Sequence, residues 1–232
     1  MSKRRDTMKF GLDVSTAGKY SDPKTLVELA FEAERAGWDG FFLWDAVFAI
    51  PKGLPMADPW MTLSAIAVRT KHIKIGAMVT PIARRHPYKV ARETITLDHL
   101  SGGRLIFGVG LGYHALDFEA FGLEADPRIR GEKLDEGLEI LTGLWRGKSF
   151  SFHGKHYTIN DVKFLPRPCQ KPRIPVWVAG YWPNRRPFRR AARYEGVLPG
   201  KASSHFTPKD LKEVLAYLRG FRVESTPFEV AV

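Results

Sequence analysis

The stretch SGGRLIFGVGLGYH, residues 101–114, contains a helix end, an apolar strand and a glycine-rich strand end. Ser101-Gly102-Gly103 follows an amphipathic segment, and glycine suits the left-handed backbone with which many helices end. The run from Leu105 to Val109 is almost wholly apolar, which is typical of a parallel strand covered on both faces. This order of helix, turn and buried strand predicts an α/β fold built on a parallel sheet.

The glycines at the end of that strand raise the possibility of a nucleotide-binding loop. A dinucleotide fingerprint requires G-x-G-x-x-G directly before a helix. Here the glycines are Gly108, Gly110 and Gly112, Tyr113 occupies the place of the third required glycine, and no helical pattern follows at once. The spacing therefore disfavours a Rossmann loop and favours a strand end that packs closely against its neighbours.

The same cycle of strand and helix repeats along the chain. Strands are predicted at 10–14, 40–44, 73–79, 105–109, 174–179, 197–198 and 228–232. Helices are predicted at about 23–36, 59–69, 88–100, 134–145, 187–194 and 208–218. We predict a single-domain, (β/α)₈ TIM-barrel-like fold over residues 1–232 whose C-terminal end stops short of strand 8. Periodicity alone leaves a doubly wound sheet open as the alternative.

The cycle is interrupted after the fourth strand. Residues 113–172 contain the helix at 134–145 and two predicted short strands near 150–152 and 157–164. A long irregular connection within a compact domain often has a functional role. We interpret residues 113–172 as an insertion that forms a lid and selects the substrate.

Composition restricts the class of protein. The 232 residues include one cysteine and have a formal net charge of +11. No apolar run approaches the roughly 18 residues of a membrane span, so we predict a cytoplasmic protein without a membrane partner. Arginines concentrate in NRRPFRRAAR, residues 184–193, which suits a phosphate better than a long DNA groove. We predict no nucleic-acid partner, although charge alone leaves one open.

Four segments together resemble the bacterial luciferase-like family of flavin-dependent oxidoreductases. They are GWDGFFLWD (37–45), VTP (79–81), ARETITLDHLSGGR (91–104) and the glycine-rich strand end. The block LDHLSGGR is the most specific of them, and the likeness extends from Lys9 to Val232. The resemblance implies a barrel that binds FMN or the deazaflavin F420 non-covalently. It also implies hydride transfer or monooxygenation of a small organic substrate.

The resemblance further implies which residues contact the cofactor. Its ring would be lined by Asp45, Thr80, Gly112 and Tyr113, and Gly180 would begin the loop that holds its phosphate. The sequence supports that phosphate site, because Asn184 is a suitable N-cap and Arg185 adds positive charge. His114, beside the glycines, is the candidate for catalysis. The histidines have no metal-ligand spacing, so we predict no metal.

Two positions depart from one branch of the family. In the F420-dependent sugar-phosphate dehydrogenases, a histidine base follows the position of Asp45, and a glutamate acid occupies the position of Tyr113. This chain has Ala46 and Tyr113 instead. The side chain of alanine has no ionisable proton, and the ordinary pKa of a tyrosine hydroxyl is about 10. Alcohol oxidation by that acid–base route is therefore disfavoured.

The missing eighth strand suggests two further interpretations. An open barrel exposes strand edges and apolar surface, so we predict a homodimer that covers them. The alternative to an enzyme is a catalytically silent barrel protein that binds a flavin or dimerises.

Overall fold

The computed structural model describes residues 8–47, 53–202, 204–222 and 227–232. Its strands are β1 (Gly11–Val14), β2 (Gly40–Leu43), β3 (Lys74–Ala77), β4 (Thr80–Pro81), β5 (Phe107–Gly110), β6 (Phe150–His153), β7 (Thr158–Val162), β8 (Val176–Tyr181), β9 (Gly196–Gly200) and β10 (Glu229–Val230). Its α-helices are α1 (Pro23–Arg35), α2 (Pro59–Arg69), α3 (Pro87–Leu100), α4 (Leu116–Glu119), α5 (Pro127–Trp145), α6 (Arg185–Ala191) and α7 (Pro208–Arg219).

The strands other than the β6–β7 hairpin pair in parallel. One sheet has the order β1-β2-β3 and another the order β10-β9-β8-β5-β4. A parallel bridge between Ile75 of β3 and Leu105, just before β5, connects the two sheets. Strand neighbours therefore follow chain order, with helices between them, as in TIM-barrel-like α/β proteins. The predicted fold class is confirmed.

Three of the seven α-helices in the described ranges begin at a shared signal, an aspartate followed by proline. Asp22, Asp58 and Asp126 each accept a hydrogen bond from backbone N–H groups of the first turn, and a proline follows each of them. The predicted start of α5 near residue 134 was therefore late. The first two turns of α5 are mostly polar and contain Gly131, which hides the apolar periodicity, whereas its cap lies at Asp126.

Two faces of the sheet carry different side chains. One face packs against the helices in the main core. The other, which we call the inner face, carries a separate cluster of Phe42, Ile106 and Trp177, with Met78, Leu198 and Ala231 against it. This second cluster joins residues from distant parts of the chain across the curved sheet, so the inner face is a packed interior near its centre.

The glycine-rich strand end belongs to this inner packing. A Cβ on Gly108 would lie 2.3 Å from the carbonyl oxygen of Ala77, and a Cβ on Gly110 would lie 2.7 Å from Cγ2 of Val79. Both distances are too short for any side chain. The peptide bond between Met78 and Val79, opposite these glycines, is cis. Gly108 and Gly110 therefore allow β5 to approach its neighbours, as the non-nucleotide interpretation predicts.

The LDHLSGGR block forms a clamp at the amino ends of the strands. All five N–H groups of the buried Arg104 guanidinium donate to acceptors on three segments: Ala67, Thr70, Ile73 and Ser101. The carboxylate of Asp98 accepts bonds from the backbone N–H groups of Cys169 and Gln170. The most specific sequence motif thus holds α2, α3, β3 and the chain before β8 together.

Candidate active site

Several polar and aromatic side chains gather at the carboxyl ends of the parallel strands. They are Asp13, Trp44, Tyr113, His114 and Tyr181, and we call this group the mouth. Trp44, Tyr113 and Tyr181 are 50%, 71% and 45% exposed, although aromatic side chains usually lie buried in cores. Active sites of TIM-barrel enzymes lie at this end of the strands. The mouth is therefore the candidate site.

One wall of the mouth is formed by Asp13 and Trp44. The indole Nε1 of Trp44 donates a hydrogen bond to Oδ2 of Asp13 at 3.0 Å. Burial against surrounding protein raises the pKa of Asp13 to about 6, and the bond from Trp44 opposes that rise. Asp13 is itself exposed, so the protein packed around one side of its carboxylate raises the pKa while the other side is open to solvent. The sequence analysis treated Asp13 as an ordinary strand residue and did not select it.

A second part of the mouth is aromatic. The rings of Tyr113 and His114 meet edge to face, with centroids 4.3 Å apart. Burial and then the proximity of Tyr113 raise the pKa of Tyr181 above its usual value. Tyr113 and Tyr181 are therefore close, although β5 and β8 are separated by the whole 113–172 segment. The predicted residues Tyr113 and His114 are neighbours in the chain, and the structure places Tyr181 beside Tyr113.

Asp45 lies beside the mouth but is directed into the protein. Its side chain has no exposed surface, and its carboxylate pairs with Arg84 at 2.7 Å and Arg85 at 3.1 Å. The Nε1 of Trp60 donates a third bond at 2.9 Å. The position holds the loop after β2, whether or not Asp45 also reaches the predicted cofactor ring.

Arg84 connects that loop to the segment after β5. Its Nη1 pairs with Asp117 of α4 at 3.1 Å, while its Nη2 pairs with Asp45. Burial raises the pKa of Asp117, and the positive charge of Arg84 opposes that rise. The loops after three strands are thus joined by one buried guanidinium.

The predicted residue Thr80 is fully buried. It pairs in register with Val109, a residue of the core between sheet and helices. Within the described part of the chain, its Oγ1 has no hydrogen-bond partner. A buried hydroxyl without a partner is uncommon and costs free energy. Its side chain points to that core and not to the inner face, so its contact with the cofactor ring stays a prediction.

The two predicted glycines make close contacts that other residues would prevent. Gly112 has a φ of +86°, and its Cβ would lie 2.9 Å from Cε2 of Phe118. A Cβ on Gly180 would lie 2.3 Å from Cβ of Pro187. The first allows the chain to turn at the mouth, and the second brings α6 against the end of β8.

A groove rich in arginine lies between α5 and α6. It has a volume of about 770 Å³ and is lined in part by Leu111, Asn184, Arg186, Arg189, Arg190 and Arg193. Asp135 pairs with Arg190 and Arg193. Among the described residues, Arg186 and Arg189 form no ion pair, so the groove keeps positive charge.

The structure places the two predicted phosphate residues at this groove and next to it. The side chain of Asn184 accepts a hydrogen bond from the N–H of Arg186 and caps α6, as predicted. The guanidinium of Arg185 lies over the ring of Tyr217, 5.5 Å from its centroid. Arg186, which the sequence analysis did not select, lines the groove.

The 113–172 segment has two parts with different surroundings. Residues 115–126 follow the mouth and expose Leu116, Phe121 and Leu123. The hairpin of β6 and β7 instead packs on α5, where the carboxylate of Glu136 accepts bonds from the N–H groups of residues 155–157. The first part therefore borders the candidate site.

The sequence matches the family model described as luciferase-like monooxygenase over residues 8–230. The chain belongs to this family. The resemblance given by the sequence motifs is thereby confirmed. Within the described ranges, every helix of this luciferase-like protein is too short or too polar to span a bilayer.

Relatives in the family use either cofactor. The F420-dependent glucose-6-phosphate dehydrogenase of Microbacterium testaceum is 33% identical over 181 residues, covering 76% of this chain and 52% of that enzyme. The oxygenase component of the flavin-dependent trigonelline monooxygenase of Acinetobacter baylyi is 27% identical over 188 residues. The match covers 78% of this chain and 51% of that protein. The chain thus spans about half the length of these two luciferase-like relatives.

Solved structures of similar fold support the same family. The monooxygenase RslO1 of Streptomyces bottropensis superposes with a TM-score of 0.79 at 27% identity, covering 96% of this chain and 70% of that one. The relatives include F420-dependent and flavin-dependent enzymes, and one solved structure of the same fold holds FMN, so the undecided prediction of FMN or F420 agrees with the family.

Proposed function

We propose that this luciferase-like chain binds FMN or F420 non-covalently at the mouth. It would use the cofactor for hydride transfer to or from a small organic substrate, or for monooxygenation of one. The observation that carries the proposal is the set of exposed aromatic side chains, Trp44, Tyr113 and Tyr181, at the carboxyl ends of the strands. Binding sites for flat cofactors need such apolar walls with a few polar groups.

The residues present fit a flat ring with polar edges. Gly110 and Gly200 lie at the carboxyl ends of β5 and β9. Because glycine has no side chain, the inner face has no side chain at these two positions. The hydroxyl of Thr80 and the indole Nε1 of Trp177 are buried, and neither has a hydrogen-bond partner in the described ranges. These two groups face the helix side of the sheet and the amino end of β9, so the donors at the mouth itself are the phenol hydroxyl groups of Tyr113 and Tyr181. A bound flavin or deazaflavin supplies the redox chemistry.

The chain's own residues bind and orient the reactants. Trp44, Tyr113 and Tyr181 would hold the ring and exclude water from it. The buried pairs of Arg84 with Asp45 and Asp117 fix the loops that carry those walls. Rigid positioning of this kind is what a protein contributes to cofactor chemistry.

The phosphate of the cofactor would lie at the start of α6. Gly180, Asn184 and Arg185 remain the predicted contacts, and we add Arg186 because it lines the arginine groove. The positive charge of the groove favours an anion there. This feature would serve the phosphate of either cofactor.

The substrate would contact residues 113–126. The exposed Leu116, Phe121 and Leu123 next to the mouth favour an apolar substrate. Homodimerisation and a cytoplasmic location also remain proposals. Sedimentation tests the first, and a well-folded monomer at all concentrations would contradict it.

The test is a pair of fluorescence titrations of the purified protein, one with FMN and one with F420. We expect tight binding of one cofactor, about tenfold weaker binding by Tyr113→Ala, and a similar loss for Arg185→Ala. Arg219→Ala, at the far end of α7, is the matched control and should bind like the unmodified chain. A folded protein that binds neither cofactor would contradict the proposal.

The silent binding protein is the second candidate because Ala46 and Tyr113 replace the acid–base pair of one branch. Reoxidation of the bound reduced cofactor distinguishes the two. If it depends on an added organic substrate or on oxygen, the enzyme is supported. If no acceptor oxidises a tightly bound cofactor, the chain is a binding protein.

A further inference from the structure

Asp13 is the carboxyl group that β1 directs to the inner face. Leu12 and Val14 pack against the core between sheet and helices, so their neighbours point the other way. A Cβ on Gly11 would lie 3.1 Å from Cε2 of Phe42, a residue of the inner cluster. Asp13 pairs in register with Phe42, two residues beyond Gly11. Its carboxylate therefore faces the same interior, nearer the mouth.

We infer that Asp13 is a catalytic residue of this site, which gives a proton to a substrate oxygen and takes it back in the reverse reaction. The inference rests on the proposed function. Ala46 and Tyr113 stand where one branch of the family has its base and its acid, so the mouth needs another proton carrier. The geometry supplies one, since Trp44 fixes the carboxylate with a 3.0 Å hydrogen bond.

Among the residues that the structure describes, other charged groups near the strand ends are held in ion pairs. Asp45, on the loop after β2, pairs with Arg84 and Arg85. Glu229 of β10 pairs with Lys9 at the opposite end of β1. Within the described ranges, the strand ends also carry Tyr113, His114 and Tyr181, while Asp117 pairs with Arg84 and Lys201 with Asp210. Burial, opposed by the bond from Trp44, therefore determines the pKa of Asp13 at about 6.

The proton step is simple. In the forward direction the O–H bond of the Asp13 carboxyl breaks and an O–H bond to the substrate oxygen forms. The carboxylate that remains keeps its hydrogen bond from Nε1 of Trp44. A carboxyl with a pKa near 6 exchanges its proton readily near neutral pH, as general acid–base catalysis requires.

The first arm of the test needs no cofactor. In protein labelled with ¹⁵N-tryptophan, the indole N–H signal that Trp44→Phe removes reports directly on Asp13. We expect this signal to titrate with a midpoint near pH 6 and to become independent of pH in Asp13→Asn. A midpoint near pH 4, or a titration that persists in Asp13→Asn, would overturn the inference.

The second arm measures catalysis with a defined probe. The protein is loaded with whichever of reduced FMN or reduced F420 it binds, and 1,4-naphthoquinone is added under nitrogen. The quinone takes a hydride, that is two electrons and one proton, from the reduced cofactor and a second proton on oxygen from Asp13, which gives the hydroquinone. We expect the rate to fall above pH 6, and to be about 100-fold lower in Asp13→Asn with cofactor affinity unchanged.

The matched control is Asp39→Asn, because Asp39 accepts the N–H of Phe10 at the amino end of β2, away from the mouth. It should reduce the quinone as the unmodified chain does. Equal rates for the unmodified chain and Asp13→Asn, including no reduction by either, would overturn the role of Asp13. Failure of the proposed function is seen separately, as absence of cofactor binding before the quinone is added.

Discussion

Arg84 holds Asp45 at two points. Its Nη2 lies 2.9 Å from the backbone carbonyl oxygen and 2.7 Å from the carboxylate Oδ1 of the same residue. The guanidinium is almost completely buried, so this pair is shielded from solvent and salt. The loop that follows β2 is thereby attached to the turn that follows β4.

Removal of the Asp45 carboxylate should destabilise the protein strongly. In Asp45→Ala, the buried charge of Arg84 keeps one acidic partner, and Arg85 keeps only an acidic partner 3.9 Å away. We therefore expect the free energy of unfolding to fall by about 3–5 kcal/mol. Urea denaturation measures it. Glu32→Ala, which removes an exposed pair with Arg35, is the control and should cost at most about 1 kcal/mol. A small loss of stability combined with weaker cofactor binding would instead make Asp45 primarily a cofactor ligand.

Replacement of Arg104 by lysine should not be conservative. Lysine has three donors and no planar fork, whereas five acceptors surround the guanidinium of Arg104. Arg104→Lys leaves buried carbonyl groups without donors. We therefore expect it to lower the free energy of unfolding by about 2–3 kcal/mol. Arg219→Lys is the matched surface control. Equal melting temperatures for the two variants would contradict the clamp.

Alanine should have opposite effects at two glycines. Gly108→Ala places a Cβ 2.3 Å from the backbone oxygen of Ala77, and we expect it to cost about 1–3 kcal/mol. Gly131→Ala lies within α5, where the nearest atoms are 3.9 Å from the added Cβ. It should stabilise the protein by about 0.5–1 kcal/mol because alanine favours helices. Thermal unfolding of both variants checks the pair, and destabilisation of similar size would refute it.

The pKa of Asp13 predicts a dependence of stability on pH. Its value of about 6 in the folded state is above the roughly 3.9 of an unfolded chain, so the folded state binds more protons between these values. Stability therefore falls as the pH rises through this window, and the loss is complete above it. Asp13→Asn removes the loss.

We thus expect Asp13→Asn to raise the melting temperature more at pH 7.5 than at pH 4. Circular dichroism at the two pH values measures the difference. Asp39→Asn, which removes a carboxylate near the other end of the same strand pair, is the control. A difference of the same size in the control would show that net charge, and not the burial of Asp13, is responsible.

The sequence by itself determined the local elements of this protein. Aspartate–proline pairs mark the starts of α1, α2 and α5 because both the cap and the fixed φ of proline act within one turn. Apolar strands and the LDHLSGGR block gave the parallel α/β fold and the family. The start of α5 was placed late since its polar first turns carry no periodicity.

The tertiary structure decided which of these residues meet. Asp13, Trp44 and Tyr181 form the mouth with Tyr113 because the sheet curves and brings the ends of distant strands together, and no spacing in one sequence encodes that contact. Alternation along β1 shows that Gly11 and Asp13 share a face, but not which face is inner. The burial that raises the pKa of Asp13, and the ion pairs that bury Asp45, arise from neighbours far away in the chain.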